Sequence, residues 1–397
     1  MLAKRMSLIK PSPTLAISGK AKAMRAQGLD VIDFSVGEPD FPTPEHIKEA
    51  GIKAIKDNFT SYTANPGIPE LRSAITEKLR KDNNLDYQPT EIIVGTGAKQ
   101  ELFNLAMALF DEGDEIILPT PCWVSYPPQI HLAGATPIYL VTGADNGFKI
   151  TPDQLAEAIT PKTKALILTN PSNPTGGAYT KDELAAIAAI LEPTNIFVIS
   201  DEIYEKLVYD GFEFTSFPSL SPTWKERTIL INGVSKAYAM TGWRIGYAAA
   251  PEPIIKAMAK IQGHSTSNAN SIAQKSALAA LLGPQDDIES MRQAFEERRN
   301  IMLDLMLAIP GVKCTKPQGA FYLFADWSSY IGRNYGDRQL ATCIDLADYL
   351  LDKAHVAIVP GAAFETQKGY LRFSYATALD RIREGMDRLT KAVAELG

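Results

Sequence analysis

The stretch "TILINGVSKAYAMTGWRIGYAAA", residues 228–250, sets two short apolar runs on either side of a turn rich in small residues. Lys236 follows the first run and Arg244 precedes the second. Both runs are apolar at successive positions rather than at alternate ones, the pattern of strands buried on both faces. A lysine at the end of such a strand serves solubility, a salt bridge or chemistry. In the third case partial desolvation shifts the amine toward its neutral form, which attacks carbonyl carbon.

Outward from this stretch the same strand pattern recurs in "EIIVGTG", "DEIILPTP", "TPIYLV", "KALILTN" and "IFVISDE". Apolar residues at helical spacing lie between them, over 99–109, 152–159, 181–191 and 253–261. Strands alternating with helices imply an α/β fold with a mostly parallel sheet covered on both faces. Ligands of such sheets sit beyond the carboxyl ends of the strands. Upstream, "KPSP" separates an arm from a first helix over 14–27, and "VIDFSVGEPDFPTP" reads as a short strand and a loop. Helical spacing then covers 45–57 and 68–84. A long helix over 285–309 leads into a second α/β unit holding "VKCTKPQGAFYLFADW", a helix over 341–353, "VAIVPG", "YLRFSYA" and a C-terminal helix. The organisation expected is an arm at 1–13, a small domain from 14–45 with 295–397, and a large domain over 46–294.

Several function classes fall away. The formal charge is −6 and the basic residues are dispersed, which disfavours nucleic acid. The apolar runs are strand length, far short of a membrane span, and the first residues lack the apolar core of a secretory signal. Cys122, Cys314 and Cys343 form no paired framework, so a soluble protein of a reducing compartment, the cytoplasm, is expected. The four histidines are isolated, so no metal site is expected. "IFVISDE" lacks the phosphate loop that a nucleotide site would need, no GxGxxG follows a strand, and "SLIK" lacks the companions of serine acyl enzymes.

What remains stands at strand ends. The glycines of "EIIVGTGAKQ" open a helix whose first N–H groups and dipole suit a phosphate, although an ordinary turn needs no ligand. "ALILTNPSNPTG" delivers Asn173 in a proline-stiffened loop, and "IFVISDEIY" delivers Asp201 and Tyr204; taken alone, Asp201 serves equally as a helix cap. Ser235 and Lys236 end another strand. An amine, a carboxylate and an anion site together suit pyridoxal phosphate, which has an aldehyde, a ring nitrogen and a phosphate.

"SDEIY" and "NGVSKAYAMTGWRIG" closely resemble the fold-type I, class I aminotransferases that use pyridoxal 5′-phosphate. "SVGEPDF", "TSYTANPGIPELR", "NPSNPTG", "QGAFYLF" and "YLRFSYA" match that family in the same order over nearly the whole chain. The resemblance implies that Lys236 carries the cofactor as a Schiff base and then moves the substrate's α-proton. It implies that Asp201 pairs with the ring nitrogen, that Tyr204 and Asn173 bond the ring oxygen, and that Trp123 stacks on the ring. Arg244, Ser235 and the backbone of Gly97, Ala98 and Lys99 are expected at the phosphate. Ala98 departs from relatives that place a hydroxyl there, so that contact is expected from backbone alone. Tyr62 is expected to reach the phosphate from a second subunit, making a homodimer with shared active sites. Arg372 is expected to clamp the substrate α-carboxylate, with Gly37 approaching from a mobile loop.

The closest resemblance is to bacterial aspartate aminotransferases of subgroup Ib, some of which also act on prephenate. It implies Lys99 for the distal carboxylate and Lys10 for prephenate, unless Lys10 merely lies on a solvated arm. The expected partners are small amino acids and 2-oxo acids, and the reaction is transfer of the amino group of L-aspartate to 2-oxoglutarate, with prephenate as a further acceptor. A β-lyase, or an alanine or aromatic aminotransferase on the same scaffold, is the alternative. A non-enzymatic regulator ranks last, because the lysine, aspartate and both arginines are intact.

Overall fold

The computed structural model describes residues 2–9, 13–366 and 369–396. Seven strands form the large sheet: β1 (Ile92–Gly95), β2 (Glu115–Thr120), β3 (Thr136–Val141), β4 (Thr163–Thr169), β5 (Phe197–Asp201), β6 (Thr228–Gly233) and β7 (Gly246–Ala249). Their order is β1-β7-β6-β5-β4-β2-β3. All neighbours are parallel except that β7 runs antiparallel to both β1 and β6. The chain is thus α/β with a mostly parallel central sheet, and all seven strands match runs read as strands in the sequence.

Alternate residues of one strand feed different cores, as a period of two requires. Ile229 and Ile231 join Leu102, Leu105, Ile255 and Met258 on one face, while Leu230 faces Ile75 and Leu79 on the other. Likewise Ile167 joins the first face, whereas Leu166 and Leu168 pack with Leu184, Ile187 and Leu191. Burial on both faces explains why these strands are apolar throughout. The helix Lys181–Leu191 begins at a reciprocal cap between Thr180 and Glu183, and Pro152–Ala158 at one between Thr151 and Gln154.

A second, four-stranded antiparallel sheet holds β8 (Lys313–Cys314), β9 (Tyr322–Asp326), β10 (Val359–Pro360) and β11 (Tyr370–Ser374), in the order β10-β11-β9-β8. "VAIVPG" is not one strand: Val356–Ala357 pairs in parallel with Ile32–Asp33, and after Ile358 the chain turns into β10. The helix Asp286–Leu307 joins the core of this region through Met291, Phe295, Met302 and Met306. Three helices absent from the sequence reading are Tyr126–Leu132, Pro222–Arg227 and Ser271–Leu282.

Candidate active site

Parallel strands that end on one edge bring their terminal residues together. Asp201 is the last residue of β5 and lies opposite Thr169 of β4 and Ile231 of β6. No helix begins at Asp201; the chain turns, and Ile203 N–H donates to its Oδ1 at 3.4 Å. Asp201 is therefore not a helix cap. Its carboxylate also accepts a 2.7 Å hydrogen bond from Tyr126 Oη, which lies 2.7 Å from Thr169 Oγ1. Burial pushes this carboxyl up to about 6, and the Tyr126 and Ile203 donors work against that rise.

Lys236 is half-buried just past β6, and its Nζ donates to Gly37 O at 2.6 Å. Burial pushes the amine down to about 8, Arg244 and Arg372 add to the fall, and Glu38 and Asp201 oppose it. An amine so placed has a substantial neutral fraction near physiological pH, as a nucleophile or base requires. Its Nζ lies 5.9 Å from the Tyr204 ring centre and 5.8 Å from that of Phe321.

Arg372 comes from the other sheet. It is the middle residue of β11, opposite Phe324 and Val359, and is buried. Its guanidinium donates to Asn173 Oδ1 at 3.0 Å and to Ser35 O at 2.7 Å, while its Nε has no acceptor among the described residues. The group lies 4.4 Å from the Tyr322 ring centre. The Tyr322 hydroxyl is 2.9 Å from that of Tyr204, and a methyl on Gly37 would come within 2.9 Å of it. Lys236, Gly37, Tyr204, Tyr322, Arg372 and Asn173 thus form one chain of contacts across both sheets.

The β1 turn lies on the same edge. Gly97, at φ +82°, precedes the helix α1 (Ala98–Leu109), and no side chain caps that helix. Arg244 lies over the turn: it would clash with a methyl on Gly97, and its Nη2 is 3.4 Å from Thr96 O. A methyl on Gly246 would strike the backbone of Ala98, so glycine there lets β7 and the turn approach closely. Lys99 Nζ stands 4.9 Å from the Trp123 ring centre, and Trp123 meets Tyr126 edge-on at 5.2 Å. Burial followed by the Arg244 charge lowers the Lys99 amine. Ser235 is buried beside Lys236. Tyr62 stands 93% exposed on its loop. Lys10 lies outside the described residues. Among the described residues, no group of three or more histidine, cysteine or acidic side chains is placed to hold a metal ion.

Sequence reasoning missed Tyr126, Thr169, Ser35 and Tyr322. For Tyr126 a signal existed: it follows Trp123 by three residues, so one turn of chain carries both. Ser35, Tyr322 and Thr169 lie within "SVGEPDF", "QGAFYLF" and "KALILTN", but their contacts in the site arise only through tertiary pairing.

An amine poised to lose its charge, a buried carboxylate, a desolvated arginine and a glycine turn under a second arginine match the handles of an aldehyde cofactor and an anionic substrate. The family model described as aminotransferase class I and II matches residues 29–389. The chain belongs to the class I and II aminotransferases. This aminotransferase is 50% identical to the aspartate aminotransferase of Geobacillus stearothermophilus, over 98% of each chain. It is 47% identical to the probable aspartate/prephenate aminotransferase of Aquifex aeolicus, over 100% of this chain and 99% of that one. The crystal structure of the Rhizobium meliloti aspartate aminotransferase superposes with a TM-score of 0.96 at 43% identity, covering 100% of both chains. The protein is therefore a transaminase whose family cofactor is pyridoxal 5′-phosphate. The residues fit that group: glycines open the β1 turn to backbone approach, and cations and a carboxylate flank the Lys236 amine.

Proposed function

We propose that this aminotransferase moves the amino group of L-aspartate to 2-oxoglutarate in two half-reactions, and also transaminates prephenate. The observation that carries the reading is Arg372, buried, held by Asn173 and Ser35, and keeping one donor without an acceptor beside the Lys236 amine. A buried guanidinium is an expensive group whose natural complement is a carboxylate bound by paired hydrogen bonds. Lys99, on α1 beside Trp123, supplies a second cation for the distal carboxylate of a dicarboxylic acid. The names of the relatives point the same way.

In this reading Lys236 would hold the cofactor, and its Nζ would move a proton to and from the substrate α-carbon. Asp201, kept ionised by Tyr126, holds the proton on the ring nitrogen. Tyr204, Asn173 and Trp123 would hold the cofactor ring, and Ser235, Arg244 and the backbone of Gly97, Ala98 and Lys99 would hold its phosphate. The hydrogen bond from Lys236 to Gly37 O supports an approach of that loop to the substrate. The bound cofactor supplies an electron sink for the α-carbon.

The division into an arm at 1–13, a small domain of 14–45 with 295–397 and a large domain of 46–294 is part of the same reading. The separate four-stranded sheet and the pairing of Ile32–Asp33 with Val356–Ala357 support it. A homodimer with shared active sites is supported by Tyr62 and by Ile52, Ile55 and Leu282, which lie exposed on helices that pack together. Three free cysteines support a reducing compartment, the cytoplasm; among the described residues no helix is long and apolar enough to cross a membrane.

The test is spectroscopic. The absorption band of the bound cofactor shifts when L-aspartate is added alone and returns when 2-oxoglutarate follows. A bound-cofactor band that ignores aspartate would defeat this substrate assignment and favour the lyase or another amino donor.

A further inference from the structure

Beneath the turn that ends β1 lies a carboxylate for which the proposed chemistry has no use. Glu101 sits in the first turn of α1 and is fully buried. Its Oε2 is 3.5 Å from Asn104 Nδ2, and its Oε1 meets no donor among the described residues. Asn104 Oδ1 is likewise buried without a donor among the described residues. The groups facing this carboxyl are amides. The helix α2 (Glu252–Gly263) brings Gln262, whose Oε1 accepts from Asn104 at 3.0 Å and whose Nε2 donates to Asn65 O and Val94 O at 2.8 and 3.0 Å. From β1 comes Gly95, where a methyl would overlap the Glu101 carboxylate, and Gln100 accepts from Thr96 N–H just above. Burial raises the proton affinity of Glu101, and the Asn104 contact opposes that rise. Lys99 and Arg244 belong to the open side of the turn.

A buried carboxylate without a cation is more stable protonated. The cluster demands the same proton for an independent reason: two of its acceptors lack donors, and a carboxyl proton supplies one. We propose that Glu101 stands as the neutral acid and is a positioning residue for the phosphate-receiving turn at Gly95–Ala98. Burial accordingly pushes its carboxyl up to about 8. Neutral, it packs against Gly95 and braces the turn. Ionised, it sets a negative charge against the underside of a turn whose other side receives an anion. By reciprocal linkage, cofactor binding tightens the proton on Glu101, and loss of that proton loosens the cofactor. This inference rests on the reading that the turn holds the cofactor phosphate.

The experiment compares the wild-type holoenzyme with E101Q, which keeps the length and neutrality of the acid and cannot ionise. Infrared difference spectra between about pH 6.5 and about pH 9.5 show a protonated-carboxyl band that titrates in the wild type and is missing from E101Q. Glu202, also buried and pushed up to about 8, contributes equally to both proteins. Identical bands in the two proteins would overturn the proposal. Cofactor release is then followed by absorbance over the same range. The ratio of wild-type to E101Q release rates starts near unity and rises to about five-fold at the alkaline end. Normal retention with a ratio independent of pH overturns the proposal alone. Failure of the wild type to retain pyridoxal phosphate at any pH overturns the reading of the site and the proposal with it. Should E101Q fail to fold, E101M, neutral and of similar length, gives the same comparison.

Discussion

The seven-stranded sheet offers its functional groups from the ends of β4, β5 and β6 and the loops just beyond them, whereas the four-stranded sheet offers Arg372 from the middle of β11. A strand-end residue has a turn behind it, and its position depends on what braces that turn. A mid-strand residue is held by ladder bonds on both sides, and its direction follows from the pleat. The loops after β5 and β6 are braced from beneath by an ion pair: Lys78 bonds Glu205, which also accepts from Asn83 at 2.7 Å and Asn232 at 2.8 Å, all four residues being buried. Glu205 follows Tyr204 directly, and Asn232 lies four residues before Lys236. The two sheets thus hold their functional groups by different means, one through buried charge and the other through the backbone ladder.

The largest change that separates the regions is Lys236→Ala, which removes both the anchor and the proton carrier. Transamination falls by about 10⁴-fold or more, with folding intact by circular dichroism; appreciable turnover would remove Lys236 from its role. Next, Glu205→Gln strips the carboxylate from buried Lys78 and costs about 3–5 kcal/mol in denaturant unfolding. Lys78, Asn83 and the nearby Lys206 hold the Glu205 carboxyl below its ordinary range against burial, so the pair's stability is present above the unfolded carboxylate range and fades as pH falls through the lowered value. An unchanged midpoint would show that the loops need no such brace.

Arg372→Lys keeps the charge and the strand but loses the fork. A loss of about 2–3 kcal/mol in kcat/KM for dicarboxylic substrates, with an unshifted melting curve, is expected. A change in stability without a change in kcat/KM would make Arg372 structural. Tyr126→Phe removes the hydroxyl that holds the Asp201 carboxyl down, so its proton affinity rises and the acid limb of kcat/KM moves to higher pH by roughly one unit. A limb that stays in place would detach Tyr126 from the chemistry. The smallest effect is expected from Lys10→Ala, a several-fold fall in prephenate use exceeding any fall in aspartate use; equal effects on both would remove Lys10 from substrate recognition.

The strands were legible because burial on both faces demands unbroken apolar runs, as in Ile229, Leu230 and Ile231. Ser271–Leu282 was not, since it buries Ala273, Ala277 and Ala280 alongside Gln274 and Ser276, leaving little apolar periodicity to read. Tyr126–Leu132 opens on two prolines that suggest a break; in a first turn they are tolerated because their missing N–H groups have no helical partner.

By itself the sequence determined the α/β alternation and the identities of the residues at the strand ends, because hydrophobic burial writes its period into the chain and family motifs carry the chemistry. Tertiary structure alone decided which groups surround each of them. Tyr126 on Asp201, Tyr322 on Tyr204, Lys78 on Glu205 and the amides around Glu101 join segments far apart in the chain. Proton affinities follow from that burial and those neighbours, and local sequence does not encode either.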